Sequence, residues 1–366
     1  MNKKKQFGPS LYFYHDKAIF DGLSQHSITK PELHHFLLKK GVIASQDTDK
    51  GELAYYLSSC LFDYLSSCLF DYHDRNRLSD LLTSKPKREN VTSSSLKKDE
   101  NPKLEDETIR QAISNLRESL SKGPDCQASI TCTKDSFLLD VTYKDHDLTK
   151  PEIKQVETKR AQIEILKEKD GYTVRSPAND YGDKLLMDFT SSLGNEIDAD
   201  IEVQELSLAG ITDSHGVSKF FTTLIHNIEG YKLYDVTNVK LYHPEVDERE
   251  EEEFTASHIR RAMLNGKQVL ITPELKSLYD RGFHISSVQW LANDKSPEGD
   301  RVAFEASLKK PETKEGFSFQ IRGIYRYSER TLDVTQKLTT PSNIEKKDIH
   351  KKLESAACLA LEKIPN

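Results

Sequence analysis

The spacing of apolar residues changes from helical to alternating shortly after residue 123, and this change constrains the fold more than any other sequence feature. Residues 105–123 carry apolar side chains at three- and four-residue intervals, as an amphipathic helix does, and Gly123 ends the pattern. Residues 128–145 and 161–177 then alternate apolar and polar side chains, as strands do. The helical positions are Ile109, Ile113, Leu116 and Leu120.

The rest of the chain mixes both periods, which predicts an α+β fold with helices flanking mostly antiparallel strands. Asp170 followed by Gly171 is a turn signal between two alternating segments and predicts a hairpin. Ser342 and Glu345 have capping-box spacing at the start of the last predicted helix. The other predicted strands cover 200–211, 231–244, 283–294, 300–311 and 316–329, and the other predicted helices cover 218–230, 255–266, 272–282 and 341–364.

Residues 85–105 have no apolar periodicity and are rich in Lys, Ser and Asn, which predicts a flexible linker. The linker separates a small all-helical module at 1–84, which begins with an aromatic segment, from a larger α+β domain. An acidic run at 247–254 predicts a seam in that domain. We therefore expect two subdomains, at 106–246 and 255–366.

The net charge of −7 is spread unevenly along the chain. Residues 1–84 contain ten basic and ten acidic side chains, and residues 85–104 carry +3, which leaves −10 for residues 105–366. A domain with this excess of acidic groups disfavours nonspecific adhesion to nucleic acid. Any such contact is therefore expected near the N-terminal module.

No apolar run approaches the roughly 18 residues of a membrane-spanning helix. The basic first residues lack the apolar core of a signal peptide. The five cysteines include no C-x-x-C pair, which predicts reduced thiols rather than a disulfide framework. Together these features predict a cytoplasmic protein that makes no membrane contact.

The N-terminal segment contains two short helical patterns joined by a polar loop. Thr29 and Glu32 have capping-box spacing, Pro31 lies in the first turn, and Gly41 ends the first helix. Asp49 begins the second helix in the same manner. The core face is expected to include Leu33, Phe36, Leu37, Val42, Ile43, Leu53, Tyr56 and Leu57.

The pattern K-P-E-L-x-x-F-L-L-x-x-G-V followed by K-x-E-L-x-x-Y-L resembles SAP-type and LEM-type modules over residues 27–58. That resemblance implies a helix, extended loop, helix fold that binds DNA or, in LEM-like relatives, protein. The basic residues that would contact DNA are Lys30, Lys39, Lys40 and Lys50. The loop at 46–49 is acidic here, which departs from the family pattern and disfavours phosphate contact.

The octapeptide LSSCLFDY occurs twice in succession, at 57–64 and 65–72. Eight residues of helix advance about 80° beyond two full turns, so the two copies cannot present the same face. Leucines at every fourth residue keep one slowly rotating apolar stripe through both copies. The repeat is compatible with a lengthened helix, and a new contact surface is the alternative.

No nucleotide-binding, hydrolase or zinc-site motif occurs in the sequence, and no catalytic residue, metal site or cofactor is predicted. Two sets of carboxylates with a lysine have an arrangement that would suit a metal-dependent nuclease. For both sets a solvated sheet face is the alternative interpretation. The sets are Asp140, Glu164 and Lys167, and Asp300, Glu305 and Lys309.

Arg322, Arg326 and Arg330 share one parity in a predicted strand that also carries aromatic residues. Basic side chains interleaved with aromatic ones are typical of surfaces that meet nucleic acid. A half-buried antiparallel strand explains the same pattern without a ligand. The three arginines are therefore a second candidate contact for nucleic acid.

The layout, an appended SAP-like module on an α+β domain, resembles accessory proteins of bacterial genome-defence systems. The sequence therefore predicts a noncatalytic subunit of a bacterial cytosolic complex, one that binds nucleic acid or serves as an adaptor between proteins. One alternative is a divergent metal-dependent nuclease. The other is a purely structural protein-interaction subunit.

Overall fold

The computed structural model describes residues 16–26, 28–39, 41–59, 77–78, 81–82, 89–97, 104–123, 125–150, 155–211, 213–244 and 260–364. These residues form eight α-helices and twelve β-strands. The helices are α1 (Asp16–Leu23), α2 (Lys30–Lys39), α3 (Lys50–Ser59), α4 (Asp106–Ser121), α5 (Asp180–Ile197), α6 (Ser214–His226), α7 (Pro273–Asp280) and α8 (Asn343–Glu362). The strands are β1 (Val91–Lys97), β2 (Cys126–Cys132), β3 (Ser136–His146), β4 (Val156–Lys167), β5 (Gly171–Pro177), β6 (Gln204–Glu205), β7 (Tyr231–Tyr242), β8 (Arg261–Asn265), β9 (His284–Asp294), β10 (Arg301–Lys310), β11 (Glu315–Ser328) and β12 (Asp333–Thr339).

The strands form a mostly antiparallel sheet in the order β2-β3-β4-β5-β1-β11-β10-β9-β7-β8, with β12 beside β11 and β6 beside β1. The α+β class predicted from the sequence is therefore confirmed. The chain divides into two compact units. The first unit contains residues 1–87, 119–128 and 141–161, and the second contains residues 88–118, 129–140 and 162–366.

The main core of the second unit lies between one face of β7, β9, β10 and β11 and the helices α6, α7 and α8. Trp290 and Phe304 stack at its centre with their ring centroids 5.3 Å apart. Phe319 and Phe220 are buried in the same cluster. The alternating residues of these strands leave a polar face on the other side of the sheet.

Several elements predicted from periodicity are present. The helix expected at 105–123 is α4, whose Ile109, Ile113 and Leu116 are buried. The Asp170-Gly171 signal lies where β5 begins, since Gly171 is the first residue of that strand, and β4 and β5 pair antiparallel. At the start of α8, Ser342 and Glu345 form the predicted capping box.

The linker predicted at 85–105 is wrong over Val91–Lys97, which is β1. This strand pairs with β5 residue for residue, from Val91 opposite Pro177 to Lys97 opposite Gly171. Leu96 is fully buried, and the hydroxyls of Thr92 and Ser176 lie 3.0 Å apart. Hydrogen bonds to neighbouring strands thus order a segment whose own side chains show no periodic pattern. The rest of the predicted linker, residues 85–88 and 98–103, lies outside the described residues.

The helix predicted at 255–266 is also wrong where the structure describes it. Arg261–Asn265 is strand β8, which pairs with β7 because the sheet offers it backbone partners. β7 precedes the acidic run and β9 follows it, yet the two strands pair along their length in one unit. This arrangement differs from the predicted division into two subdomains at 247–254, a run that lies outside the described residues.

The helices α1, α2 and α3 form a small separate core within the first unit. The predicted residues Leu33, Phe36 and Leu37 of α2 are buried there. Leu53 and Leu57 of α3 are buried as well. The helical interpretation of the N-terminal module therefore holds for its described residues.

Two residues assigned to that core lie on the surface instead. Ile43 is 86% exposed and Tyr56 is 48% exposed, whereas Val42 packs partly against the core. Ala54, which the pattern did not select, is buried in place of Tyr56. The structure describes α3 only to Ser59, so most of the repeated octapeptide lies outside the described residues.

None of the helices in the described part of the chain combines the length and the apolar character needed to cross a membrane.

Candidate binding surfaces

The start of α2 is held by a partial capping box. The carboxylate of Glu32 accepts hydrogen bonds from the backbone N–H of Thr29 at 2.5 Å and from its hydroxyl at 3.0 Å. Lys30, the first residue of the helix, donates from Nζ to the backbone oxygen of Gln46 at 2.5 Å. This predicted DNA contact therefore ties the start of α2 to the acidic loop.

Lys50, at the start of α3, is used in the same manner. Its Nζ donates to the backbone oxygens of Ser24 at 3.2 Å and Gln25 at 2.9 Å. These carbonyls lie in the segment just after the end of α1. The ammonium group thus joins α3 to α1 rather than standing free for a phosphate.

The two remaining lysines of the predicted set do not complete a basic face with Lys30. Lys39 is exposed at the end of α2, nine residues after Lys30. Nine residues of α-helix turn through about 900°, which places Lys39 half a turn away from Lys30. Lys40 lies outside the described residues, so the predicted gathering of four lysines on one side is not found among the other three.

A groove of about 360 Å³ lies along the outer face of α2. Residues at positions i, i+1, i+4, i+5 and i+8 of the helix line it, together with Gln46 from the loop. Leu38 in this lining is 61% exposed. The lining residues are Lys30, Pro31, His34, His35, Leu38 and Gln46.

Arg326 on β11 is engaged by two carboxylates. Its guanidinium donates to Glu345 of α8 at 2.5 Å and 2.8 Å and to Asp300 at 2.8 Å. The hydrogen bond from Arg326 is the main reason that the pKa of Glu345 falls to about 2. This arginine therefore connects β11 to α8, and its predicted role in nucleic-acid contact is not supported by its geometry.

Arg322 lies on the polar face of the sheet and is 44% exposed. Its guanidinium donates to the side-chain oxygen of Gln289, and its Nε lies 3.7 Å from Glu305. Glu305 also accepts from Gln289 at 3.1 Å and from Gln320 at 3.0 Å. The positive charge of Arg322 thus lies within a hydrogen-bonded network that contains one carboxylate.

The network is part of a row of polar side chains that crosses five strands. The pairing register places Asn265 opposite Asn238, Asn238 opposite Gln289, Gln289 opposite Glu305, and Glu305 opposite Gln320. Opposite residues share one face of a sheet, so the row runs across the polar face. The sequence gives no direct signal of this row because it depends on four strand registers.

Arg330 lies in the exposed turn after β11 rather than on the strand. A register shift between Tyr325 and Tyr327 in the pairing with β12 breaks the parity on which the three-arginine face was predicted. Ile324 is buried although it shares the parity of Arg322 and Arg326. The structure therefore separates Arg322, Arg326 and Arg330 into three different environments.

The members of the first candidate nuclease set bind different partners. Asp140 accepts a hydrogen bond from the side chain of Gln162 at 2.5 Å. The carboxylate of Glu164 binds Arg175 at 3.1 Å and Lys347 at 2.8 Å. Lys167 instead pairs with Asp106 at 2.5 Å. The carboxylate of Glu164 is therefore neutralised by cations of its own, as expected for a structural ion-pair cluster.

The second set is dispersed as well. Asp300 pairs with Arg326, and Glu305 belongs to the amide network. Lys309 pairs with Asp180 at 3.1 Å and with Asp183 of the same helix, α5. Within the described ranges, no group of three or more His, Cys, Asp or Glu side chains is arranged to hold a metal ion.

No protein-family model matches this chain, and no curated protein matches it.

Proposed function

We propose that this chain is a noncatalytic adaptor subunit of a bacterial cytosolic complex, and that its N-terminal helical module docks a partner protein. As the layout of the sequence suggests, we propose that this complex acts in bacterial genome defence. The α+β unit serves as the platform that holds the module within the complex.

The proposal rests on the hydrogen bonds that two lysines of the module make. Lys30 and Lys50 donate to backbone carbonyls inside the module. The binding of DNA depends on Lys and Arg side chains that replace counterions at phosphates, and here two of the predicted cations already have internal partners. The same module exposes large apolar side chains, as protein-docking surfaces do. These are Leu38, Ile43, Tyr55 and Tyr56, which are 61%, 86%, 68% and 48% exposed.

The candidate nuclease residues support a noncatalytic role in the same way. Glu164, Glu305 and Asp300 each bind a cation or an amide of the protein. A metal-dependent nuclease requires carboxylates that converge on a shared point with open positions for metal and substrate. We therefore assign these carboxylates to the stability of the fold.

The test purifies the full-length tagged chain from its own host and compares two matched isoleucine substitutions. Ile43→Asp changes the module, and Ile271→Asp changes a comparably exposed site in the second unit, since these residues are 86% and 77% exposed. We expect Ile43→Asp to remove a stoichiometric protein partner and Ile271→Asp to retain it. The same preparations are tested for retention of DNA and RNA over a salt series and for Mg²⁺-dependent cleavage.

Two results would contradict the proposal. Salt-sensitive retention of nucleic acid that is weakened by Lys39→Ala would identify a nucleic-acid-binding module. Cleavage that is lost with Glu164→Gln or Glu305→Gln would identify an enzyme.

A further inference from the structure

β8 is the last strand at one end of the sheet, and β7 is the only described strand that pairs with it. The N–H of His243 donates to the carbonyl of Arg260 at 3.0 Å, and the N–H of Gly266 donates to the carbonyl of Thr237 at 3.1 Å. Hydrogen-bonded pairs in an antiparallel ladder recur at every second residue. Because the residues that flank β8 in these two bonds are even-numbered, the even-numbered residues of β8 are the ones that bond to β7.

The odd-numbered residues of β8 therefore direct their backbone N–H and C=O groups away from β7, to the open side of the strand. No described strand lies on that side. A row of backbone donors and acceptors at the edge of a sheet is a template for the pairing of another strand. The three residues that present these groups are Arg261, Met263 and Asn265.

β8 also lacks most of the features that keep edge strands from pairing, which include Lys, Pro and bulges. Its sequence, RAMLN, contains neither Lys nor Pro, and its register with β7 runs from Arg261 to Asn265 without a shift. Its one charge, on Arg261, lies at the first residue and is 3.5 Å from the carboxylate of Glu312. The central side chain, Met263, is apolar and 56% exposed. The edge therefore suits a strand that brings an apolar side chain to its centre.

β8 is complementary to itself when two copies run antiparallel about Met263. The two Met263 side chains then lie opposite each other, and Arg261 of each copy lies opposite Asn265 of the other. All of these are hydrogen-bonded pairs, each of which exchanges two backbone hydrogen bonds. A parallel arrangement in register would instead place the two Arg261 charges side by side, which is unfavourable.

The same register also matches the side chains on the other face of the strand. Ala262 and Leu264 are partly buried and pack against the main core of the second unit. In the antiparallel pair, Ala262 of each copy lies opposite Leu264 of the other, so a small apolar side chain meets a large one. The pairing removes more of their apolar surface from water, which favours association.

We infer that β8 pairs with β8 of a second copy of this chain, antiparallel and with Met263 on the two-fold axis. This single arrangement supplies partners for the outward backbone groups, brings apolar side chains together on both faces and places no two like charges of β8 opposite each other. The sheet then continues from one copy into the other, as it can at an isologous interface. The pairing concerns the second unit and does not depend on the docking role of the N-terminal module.

Sedimentation equilibrium of the full-length chain over a range of concentrations tests the pairing. We expect a reversible equilibrium between one chain and two. Met263→Lys should raise the dissociation constant at least tenfold, because it places two like charges on the axis. Met263→Pro should have the same effect because it removes an outward N–H. An edge strand tolerates a proline at a position whose N–H faces solvent, so the bonds to β7 should remain.

Met187→Lys is the matched control. Met187 lies on α5 and is 68% exposed, so the same substitution is made at a comparably exposed methionine on a helix instead of the edge strand. We expect a change of less than threefold in the dissociation constant. Circular dichroism of each variant checks that the chain remains folded.

Disulfide formation by introduced cysteines tests the register. Met263→Cys should cross-link with its own copy, because the Cα atoms of a hydrogen-bonded pair lie about 5.5 Å apart, within the range of a disulfide. Arg261→Cys alone and Asn265→Cys alone should not cross-link, because each residue lies roughly 14 Å from its own copy. An equal mixture of these two variants should cross-link. The unsubstituted chain gives the background from its own five cysteines.

Several results would overturn the inference. One is a chain that remains a single copy at every concentration. Another is a dissociation constant that neither Met263→Lys nor Met263→Pro changes, because the two copies would then meet elsewhere. Cross-linking of Arg261→Cys with itself would indicate a parallel pair or a different register. An equal effect of Met187→Lys and Met263→Lys would mean that the added charge, not the edge of the sheet, determines association.

Discussion

Arg326 and Glu345 are joined by two parallel hydrogen bonds, from Nη1 to Oε1 at 2.5 Å and from Nη2 to Oε2 at 2.8 Å. The same Glu345 carboxylate accepts from the backbone N–H of Ser342 at 2.8 Å and so completes the capping box of α8. One carboxylate therefore holds both the end of β11 and the first turn of the last helix. Asp300 adds a second acidic partner to Arg326.

The first prediction concerns the stability that this pair provides. We expect Glu345→Gln to lower the free energy of unfolding by about 1–2 kcal/mol, since it weakens both the fork of hydrogen bonds and the cap. The value is modest because Arg326 and Glu345 are 34% and 35% exposed, and solvent screens the pair. Urea unfolding measures the effect. Arg330→Ala, in an exposed turn, should change stability by no more than about 0.5 kcal/mol, and a comparable loss there would contradict the assignment.

The sequence predicts the capping box of α8 but not the contact between Arg326 and Glu345. Ser342 and Glu345 are three residues apart, so their capping box follows from local spacing. Arg326 reaches Glu345 only because β11 and α8 meet in the folded chain, and no local pattern encodes that contact. The parity argument grouped Arg326 with Arg322 and Arg330 because it assumed a regular strand, whereas the register shift in β11 separates them.

The same distinction explains β1. Its residues Thr92, Ser93, Ser94 and Ser95 show no amphipathic period, and the segment was predicted to be a linker. β1 lies between β5 and β11, so the pairing partners of its backbone come from segments about 80 and more than 200 residues away. Tertiary hydrogen bonding overrides local composition there, as it does for β8.

The second prediction distinguishes a strand from a linker at 91–97. Limited proteolysis of the native chain should leave the bonds within Val91–Lys97 uncut, because their backbone groups pair with β5. Leu96→Ala should lower the free energy of unfolding by about 2–5 kcal/mol, since Leu96 is fully buried. Rapid cleavage inside this segment, or an unchanged free energy of unfolding in Leu96→Ala, would mean that the segment is a linker and not a strand. Leu332→Ala is the control because Leu332 is 77% exposed.

The third prediction concerns Glu305, whose carboxylate accepts from Gln289 and Gln320 and faces Arg322. Glu305→Ala leaves these donors without their acceptor and should lower the free energy of unfolding by about 1–3 kcal/mol. Glu305→Gln retains one acceptor oxygen and should cost less. Thermal unfolding of both variants measures the order. A larger loss for Glu305→Gln than for Glu305→Ala would show that the carboxylate does not organise the row.

The fourth prediction is a loss of stability in mild acid caused by two buried histidines. Burial lowers the pKa of His350 to about 3 and that of His284 to about 4. In the unfolded chain both histidines titrate near their ordinary pKa of 6.5, so the unfolded state binds more protons below that pH. The free energy of unfolding should therefore fall as pH decreases through 6.5, by at most about 1.4 kcal/mol per pH unit for each histidine.

Urea unfolding between pH 7 and pH 5 tests this effect above the range in which most carboxylates titrate. His350→Leu should reduce the slope of stability against pH, because it removes one of the two groups and suits a site beside Phe319. His226→Leu is the control, since His226 is exposed. An unchanged slope in His350→Leu would mean that folding does not lower the pKa of His350.

The last prediction separates the structural lysines of the module from its exposed one. Lys50→Ala removes two hydrogen bonds to the carbonyls of Ser24 and Gln25, which join α3 to the end of α1. We expect a loss of about 1–2 kcal/mol in local stability. Hydrogen bonds from a charged donor are stronger than neutral ones, but the two bonds from Lys50 are partly exposed to solvent, which reduces their contribution. Lys39→Ala should change stability by less than about 0.5 kcal/mol because Lys39 is exposed.

Amide hydrogen exchange at the buried residues Leu53 and Ala54 of α3 measures the difference within the module itself. Faster exchange in Lys50→Ala than in Lys39→Ala is the expected result. Retention of DNA by the full-length chain should be the same for both variants at every salt concentration. If Lys50→Ala left exchange unchanged and flattened the dependence of DNA retention on salt by about one unit, Lys50 would be a phosphate contact. The hydrogen bonds from Lys50 to the carbonyls would then form only when no DNA is bound. The function of the module would be nucleic-acid binding rather than protein docking.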